Sequence, residues 1–392
     1  MPGAPEHGAN NVEISGNNFT NIFGVASTGT LALKNISITH GHYDFDGGAV
    51  SSDGILSVSN SRFFNSTTSD WSGSAIFSTG PLIIAGSEFA NNTGGGGAVK
   101  LRNSFSIATI TGCSFHDNQS DGSAGGGYGG AMQILDGASV DIQNSTFSNN
   151  GGWFGAAIYV GANSTLTVNG STLNGNATPV GVSGMGGAVR DDGMATTTNT
   201  RFSNNQLNTG GAIFVNSSAT LTISSSTLTA NVAASGLGGG ISNHGSANIK
   251  ACTFANNGAT FGGGILSLSG STLGLDSSTS TGNIAGLNGG GVFSDDTASV
   301  TNCTFSGNST GGQGITNDAG GGLFVAGGGT VLQNVTFSGN ASTLGGGIAV
   351  NGGTLTITNT LVEERKGWQL QRRFRRKLQS FGRWQLRVRE WP

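Results

Sequence analysis

The sequence predicts an all-β chain wound as a parallel β-helix of about thirteen coils of ~26 residues. Three observations predict it. The first is a period. The key residue of each NSTF-like segment falls at Ile38, Phe63, Phe89, Phe115, Phe147, Leu173, Phe202, Leu228, Phe254, Ser280, Phe305, Phe337 and Val362. The second is local alternation. Apolar pairs such as Leu31/Leu33, Val140/Ile142, Leu166/Val168 and Leu355/Ile357 precede that residue by seven and five positions, a strand pattern. The third is composition. Glycine is 71 of 392 residues and charged residues are 9%, against roughly 25% in an ordinary globular protein.

Each coil then reads as three short strands. LTI, as in Leu221–Ile223, is the first, and STF is the second, set off by a polar corner. A third follows Gly-Gly, as in GGAIFV at 210–215. Such short strands cannot close into hairpins, so like strands stack on like strands at ~4.8 Å, and thirteen coils give a rod of roughly 60 Å. Gly-Gly corners allow positive φ and close coil approach. The Asn three residues after the key residue, as in Asn231 and Asn257, tolerates the left-handed region and can stack as an amide ladder. The coil around Phe202 has only Ala195 and Thr197 at its core sites, and the coil around Ser280 lacks its aromatic, so both are expected to be softer. Extra residues after Asn118, Asn176 and Asn308 lengthen one corner, where solenoids commonly bind.

Charge divides the chain. Residues 361–392 hold ten Lys/Arg and three Glu, leaving seven Lys/Arg and 17 Asp/Glu in the acidic body, an unlikely partner for nucleic acid. Cys113, Cys252 and Cys303 each stand two residues before a repeat Phe and read as small core fillers. No apolar run is long enough for a membrane-spanning helix. The expected organisation is an irregular start at 1–11, the solenoid at 12–362 and an aberrant basic tail at 363–392. That tail reads as a frameshifted end, since GWQL and RWQL revert to Gly-Gly-Asn one base out of register.

The paired motifs are numerous. GGAV occurs at 47–50, 96–99 and 186–189, GGAI at 210–213, and FxxN at 89–92, 115–118, 147–150, 202–205, 254–257, 305–308 and 337–340. Over residues 12–362 this resembles the polymorphic outer membrane protein repeat of right-handed β-helix surface proteins and autotransporter passengers. The resemblance implies a secreted, cell-surface adhesin whose signal peptide and barrel anchor lie outside this chain, so the chain is expected to be a fragment.

Two constellations carry possible chemistry. His40, His42, Asp44 and Asp46 alternate, and His with carboxylate suits a divalent metal, although a solvated loop explains them as well. After the third strand of successive coils come Arg190, Asp191 and Asp192, then Asn216, then His244, then Asp295 and Asp296, a row that could serve polysaccharide cleavage. Leu268 interrupts that row, and Asp and Asn are expected at turns anyway. The expectation is therefore a non-enzymatic binding stalk with no catalytic, metal or cofactor residue. Its partner would be a surface glycan or protein, met by the lateral face and corner loops. A carbohydrate-active β-helix enzyme and a purely structural spacer are the alternatives.

Overall fold

The computed structural model describes residues 12–69, 72–120, 127–178, 184–234, 236–311 and 318–363, and the backbone of 364 and 386–390. Residues 1–11, residues 121–126, 179–183 and 312–317 of the three lengthened corners, and most of the basic tail lie outside the described residues. The chain is an all-β, right-handed parallel solenoid of about thirteen turns. Contacts divide it into Met1–Val182 and Ser183–Pro392.

In the first unit, Leu31 pairs with Leu56 and Leu33 with Val58, and these pair in turn with Leu82 and Ile84. Each residue falls on the equivalent residue one period later, so a single alternating pattern fills the interior of every turn. The repeat phenylalanines form a continuous stack. Phe63, Phe89, Phe115 and Phe147 have ring centroids 4.9, 4.7 and 4.8 Å apart and no exposed surface.

The second unit repeats the construction. Leu221 and Ile223 pair with Ala247 and Ile249, and Leu228 pairs with Phe254. Ser280 pairs with both Phe254 and Phe305 and so interrupts the ring stack. Its hydroxyl donates instead to Asn308 Oδ1 at 3.2 Å. The cysteines are buried and unbridged. Cys252 stands in a file with Ser226 and Ser278, each side chain donating to the carbonyl two residues back.

The two asparagines of each corner divide the labour differently from the sequence expectation. The FxxN asparagine builds the amide ladder: Asn205, Asn231, Asn257, Asn283 and Asn308 each pass an Nδ2–H to the Oδ1 of the next, at 2.9–3.0 Å, and the run ends on Asn340. The left-handed residue is its predecessor, as at Asn204, Asn256, Gly282 and Gly307, with φ of 55, 55, 62 and 63°. Positive φ is open to glycine and tolerated by asparagine, which explains the residue choice in that column.

A further difference lies outside the third strand. In the second unit, Gln206–Leu207, Val232–Ala233, Gly258–Phe261, Ile284–Asn288 and Ser309–Thr310 form a short fourth ladder at the corner. Several outward residues of the third strands are buried: Phe214 4%, Ser242 0%, Leu266 0% and Phe324 6% exposed. Phe261 at the end of the fourth ladder lies 5.7 Å from Phe293, which stacks on Phe324 at 5.3 Å. A parallel sheet covered on both faces reads as a continuous apolar run, as in Ile213-Phe214-Val215 and Leu323-Phe324-Val325.

Candidate active site

The four residues His40, His42, Asp44 and Asp46 are not gathered at one point. His40 has φ of 52°, and its Nδ1 meets Thr39 Oγ1 at 2.6 Å. His42 faces Thr67 Oγ1 through Nδ1 at 2.8 Å and approaches Asp44 through Nε2 at 3.4 Å. Asp46 accepts from Ser72 Oγ at 2.9 Å. Among the described residues no three His, Cys, Asp or Glu side chains converge as a metal would require.

The row after the third strand is real. The amides of Asn216, His244, Leu268 and Asp295 bond to the carbonyls of Asp191, Val215, Asn243 and Ser267, one position per turn. The row nevertheless separates into groups. Asn216 caps its own turn by accepting from Ser217 N at 2.9 Å. Asp296 is half-buried, and the Gly270 N–H at 2.6 Å holds its carboxyl below the ordinary value. Leu268 separates both aspartates, Asp295 and Asp296, from the turns before it.

What remains is a cluster over three successive turns. Strand alternation sends Arg190 and Asp192 to the outer side and Asp191 to the inner side. Arg190 Nε donates to both oxygens of Asp192, at 2.9 and 3.2 Å, with both side chains mostly covered. A hydrogen bond to a carboxylate from an ionised donor is among the stronger kinds. On the next turn, the Phe214 ring lies 5.4 Å from the Arg190 guanidinium carbon. One turn further, the His244 ring sits 4.7 Å from Phe214 at an interplanar angle of 42°. His244 Nε2 meets Ser242 Oγ at 3.0 Å. Burial pushes the His244 pKa below its ordinary value, so the ring is uncharged at neutral pH.

This arrangement sets a fixed cation and an uncharged imidazole on opposite sides of one aromatic ring. The cation can hold a carboxylate, and the imidazole can accept a proton. The chain order concealed it, because residues 190, 214 and 244 come together only when the turns stack.

Sequence reading missed a second group, in the first unit. Glu88 bonds to Arg62 Nε at 2.7 Å and to His116 Nε2 at 2.9 Å, and His116 Nδ1 meets Asp117 at 2.7 Å. Burial opposes charge on His116, but its bonds to Asp117 and Glu88 outweigh that and raise its pKa. Burial likewise pushes Glu88 upward, and the His116 and Arg62 contacts bring it below the ordinary value. Both imidazole nitrogens are engaged, so this group ties neighbouring turns together and leaves no lone pair for a substrate. Its one sequence signal is the separation of Glu88 and His116, one period plus two.

No curated protein sequence matches the chain. Among solved structures, the periplasmic alginate epimerase AlgG is similar at 10% identity over 85% of this chain and 84% of its own, with a TM-score of 0.36. A mannuronic acid specific polysaccharide family 6 lyase from human gut microbiota is similar at 11% identity over 93% of this chain and 86% of its own, with a TM-score of 0.35. The expectation of a non-enzymatic adhesin-type stalk is corrected on this point by the geometry of the row. It rested on the repeat resemblance and on reading the row as turn positions interrupted by Leu268. The structure instead buries Asp191 inside the coil and holds Asp192 and His244 in a partly covered, hydrogen-bonded group. The description "Right handed beta helix region" matches residues 6–189, 126–257 and 186–362, and the chain belongs to that right-handed β-helix family.

Proposed function

We propose that this chain is a carbohydrate-active β-helix enzyme that acts on an acidic glycan laid across the turns of Arg190, Phe214 and His244. The observation that carries this reading is the pairing of an Arg190 cation with an uncharged His244 across Phe214. A sugar ring is about as long as one turn is thick, ~4.8 Å. An extended glycan running along the coil would therefore meet one turn per sugar. Arg190 exchanges its Asp192 partner for a sugar carboxylate and fixes the register of the glycan on the turns. His244, two turns on, takes the proton beside the carboxylate of a sugar further along the glycan while the glycosidic oxygen leaves from the neighbouring carbon and takes a proton from solvent, and Ser242 orients the imidazole. A secreted or cell-envelope location, supported by the alternation of GGA[IV] with FxxN in the manner of polymorphic outer membrane protein repeats, would bring the chain to such a glycan.

The test is turnover on a panel of polyuronates and neutral glycans, read as new reducing ends and as ultraviolet absorbance of unsaturated uronate. Acidic glycans alone should react. His244→Ala and Arg190→Ala should each lower kcat/KM by ~100-fold or more, the usual range for a general base or an electrostatic partner. Because His244 is held uncharged, the acid limb of the profile should fall below the ordinary histidine range. Failure of every acidic glycan to react, or full activity in both variants, contradicts the reading.

A further inference from the structure

Independently of the proposed activity, the last turn of the second unit ends on a backbone contact that the repeat does not predict. Thr360–Glu364 pairs on one side with the preceding turn, Val362 on Phe337 and Glu363 on Ser338. On its other side it pairs in parallel with Leu386–Glu390, from the basic tail. That sheet therefore runs one strand further than its two companions, which end on Ile348–Val350 and Thr354–Thr358.

The register fits the tail to this edge. Val388 falls at the position of Val362, so the column of Phe305, Phe337 and Val362 continues with an apolar residue. Arg389 falls at the position of Glu363, and unlike charges on adjacent strands attract. Only the terminal pair, Glu364 with Glu390, sets like charges together. The turn is unevenly covered. Val362 is 8% exposed, whereas Ile348, Val350 and Leu355 on its two other strands are half-buried and Ile357 is buried. One turn earlier, Leu323, Val325 and Leu332 are each 0% exposed.

A last strand left unpaired is a hazard in a solenoid. The Leu361 N–H donates to Val335 O on the turn before, so strand alternation directs the N–H and C=O of Val362 to the other side. Such a row, when open, accepts a strand from another chain. A second copy has the same period and would pair there. A head-to-tail contact of that kind does not close on itself and grows into a filament.

We infer that Leu386–Glu390 caps the open end of the solenoid and keeps a second copy of this chain from stacking on Thr360–Glu364. A tail that has left the repeat suits this task, because it offers one strand and no further turn on which stacking could continue.

Amide exchange and sedimentation of the full chain test this together. In the native chain the Val362 and Glu364 N–H groups should be protected, and the chain should sediment as a monomer. In Val388→Pro/Arg389→Pro, the adjacent prolines remove one N–H from each side of the added strand. At low concentration that variant should lose protection at Val362 and Glu364 and keep it at Phe254, inside the same unit. At higher concentration it should assemble into oligomers that grow with concentration. Fast exchange at Val362 or self-association in the native chain, or a double variant that stays monomeric, overturns the inference. The first two outcomes need only the native chain, so they decide the matter even where the variant fails to fold.

Discussion

Asp191→Asn raises the melting temperature of the chain at pH 8 and leaves it nearly unchanged at pH 4. Burial pushes the Asp191 carboxyl from 3.8 up to about 7; the Gly193 amide partly opposes this, the neighbouring Asp192 charge adds to it, and the Ala195 amide opposes it again. In the unfolded chain the same group ionises near its ordinary value. Below that value both states are protonated and stability is complete. As pH rises toward 7, the unfolded state gains by ionising while the folded state does not, and stability is lost until the folded group also ionises. The gap of about three units corresponds to a ceiling of ~4 kcal/mol.

Asparagine removes the ionisation and keeps the shape. The fold itself shows the substitution working at Asn243, which occupies the equivalent position two turns on. Its Oδ1 accepts from Gly245 N at 3.2 Å, as Asp191 Oδ1 accepts from Gly193 N at 3.0 Å. Thermal unfolding between pH 4 and 8 checks this. Parallel pH profiles for the native chain and the variant would show that Asp191 is not ionised against its surroundings.

Asn257→Leu is expected to cost several kcal/mol, while Asn256→Gly, its immediate neighbour, changes stability by less than ~1 kcal/mol. The Asn257 amide accepts from Asn231 N and Asn231 Nδ2 at 3.0 Å each. It donates to Leu228 O and Asn283 Oδ1 at 2.9 Å each. Leucine has nearly the same volume but leaves these groups buried and unpaired, at about 1–3 kcal/mol apiece. Asn256 serves by its backbone instead. Its φ is 55°, and the same column holds Gly282, Gly307 and Gly339. Guanidinium unfolding midpoints of the two variants separate these roles. A small loss in Asn257→Leu would show that the amide ladder contributes little.

Much of this fold was legible because a solenoid writes its contacts into its period. The echo of Leu221, Ile223 and Leu228 in Ala247, Ile249 and Phe254 is the register found between those strands. The fourth ladder was not legible. Pairs such as Gln206–Leu207 and Val232–Ala233 are too short to show alternation, and they form only because the turns already stack. Phe214 drew no notice in the sequence, and only the stacking of turns sets it between Arg190 and His244. The opposed directions of Asp191 and Asp192 were available in the sequence. Val189 begins its strand facing inward, so Asp191 follows it inside and Arg190 and Asp192 face out. Treating the three as one row hid both the ion pair and the buried acid. Of the long corners after Asn118, Asn176 and Asn308, expected to bind, residues 121–126, 179–183 and 312–317 lie outside the described residues.

The most direct test of the central claim is a crystal structure of the chain with an acidic oligosaccharide, using the His244→Ala variant to prevent turnover. The account predicts a sugar carboxylate on the Arg190 guanidinium, Asp192 displaced from it, and the glycan running on past Phe214 toward position 244. An oligosaccharide seated elsewhere on the chain, with the Arg190–Asp192 pair intact, would contradict it.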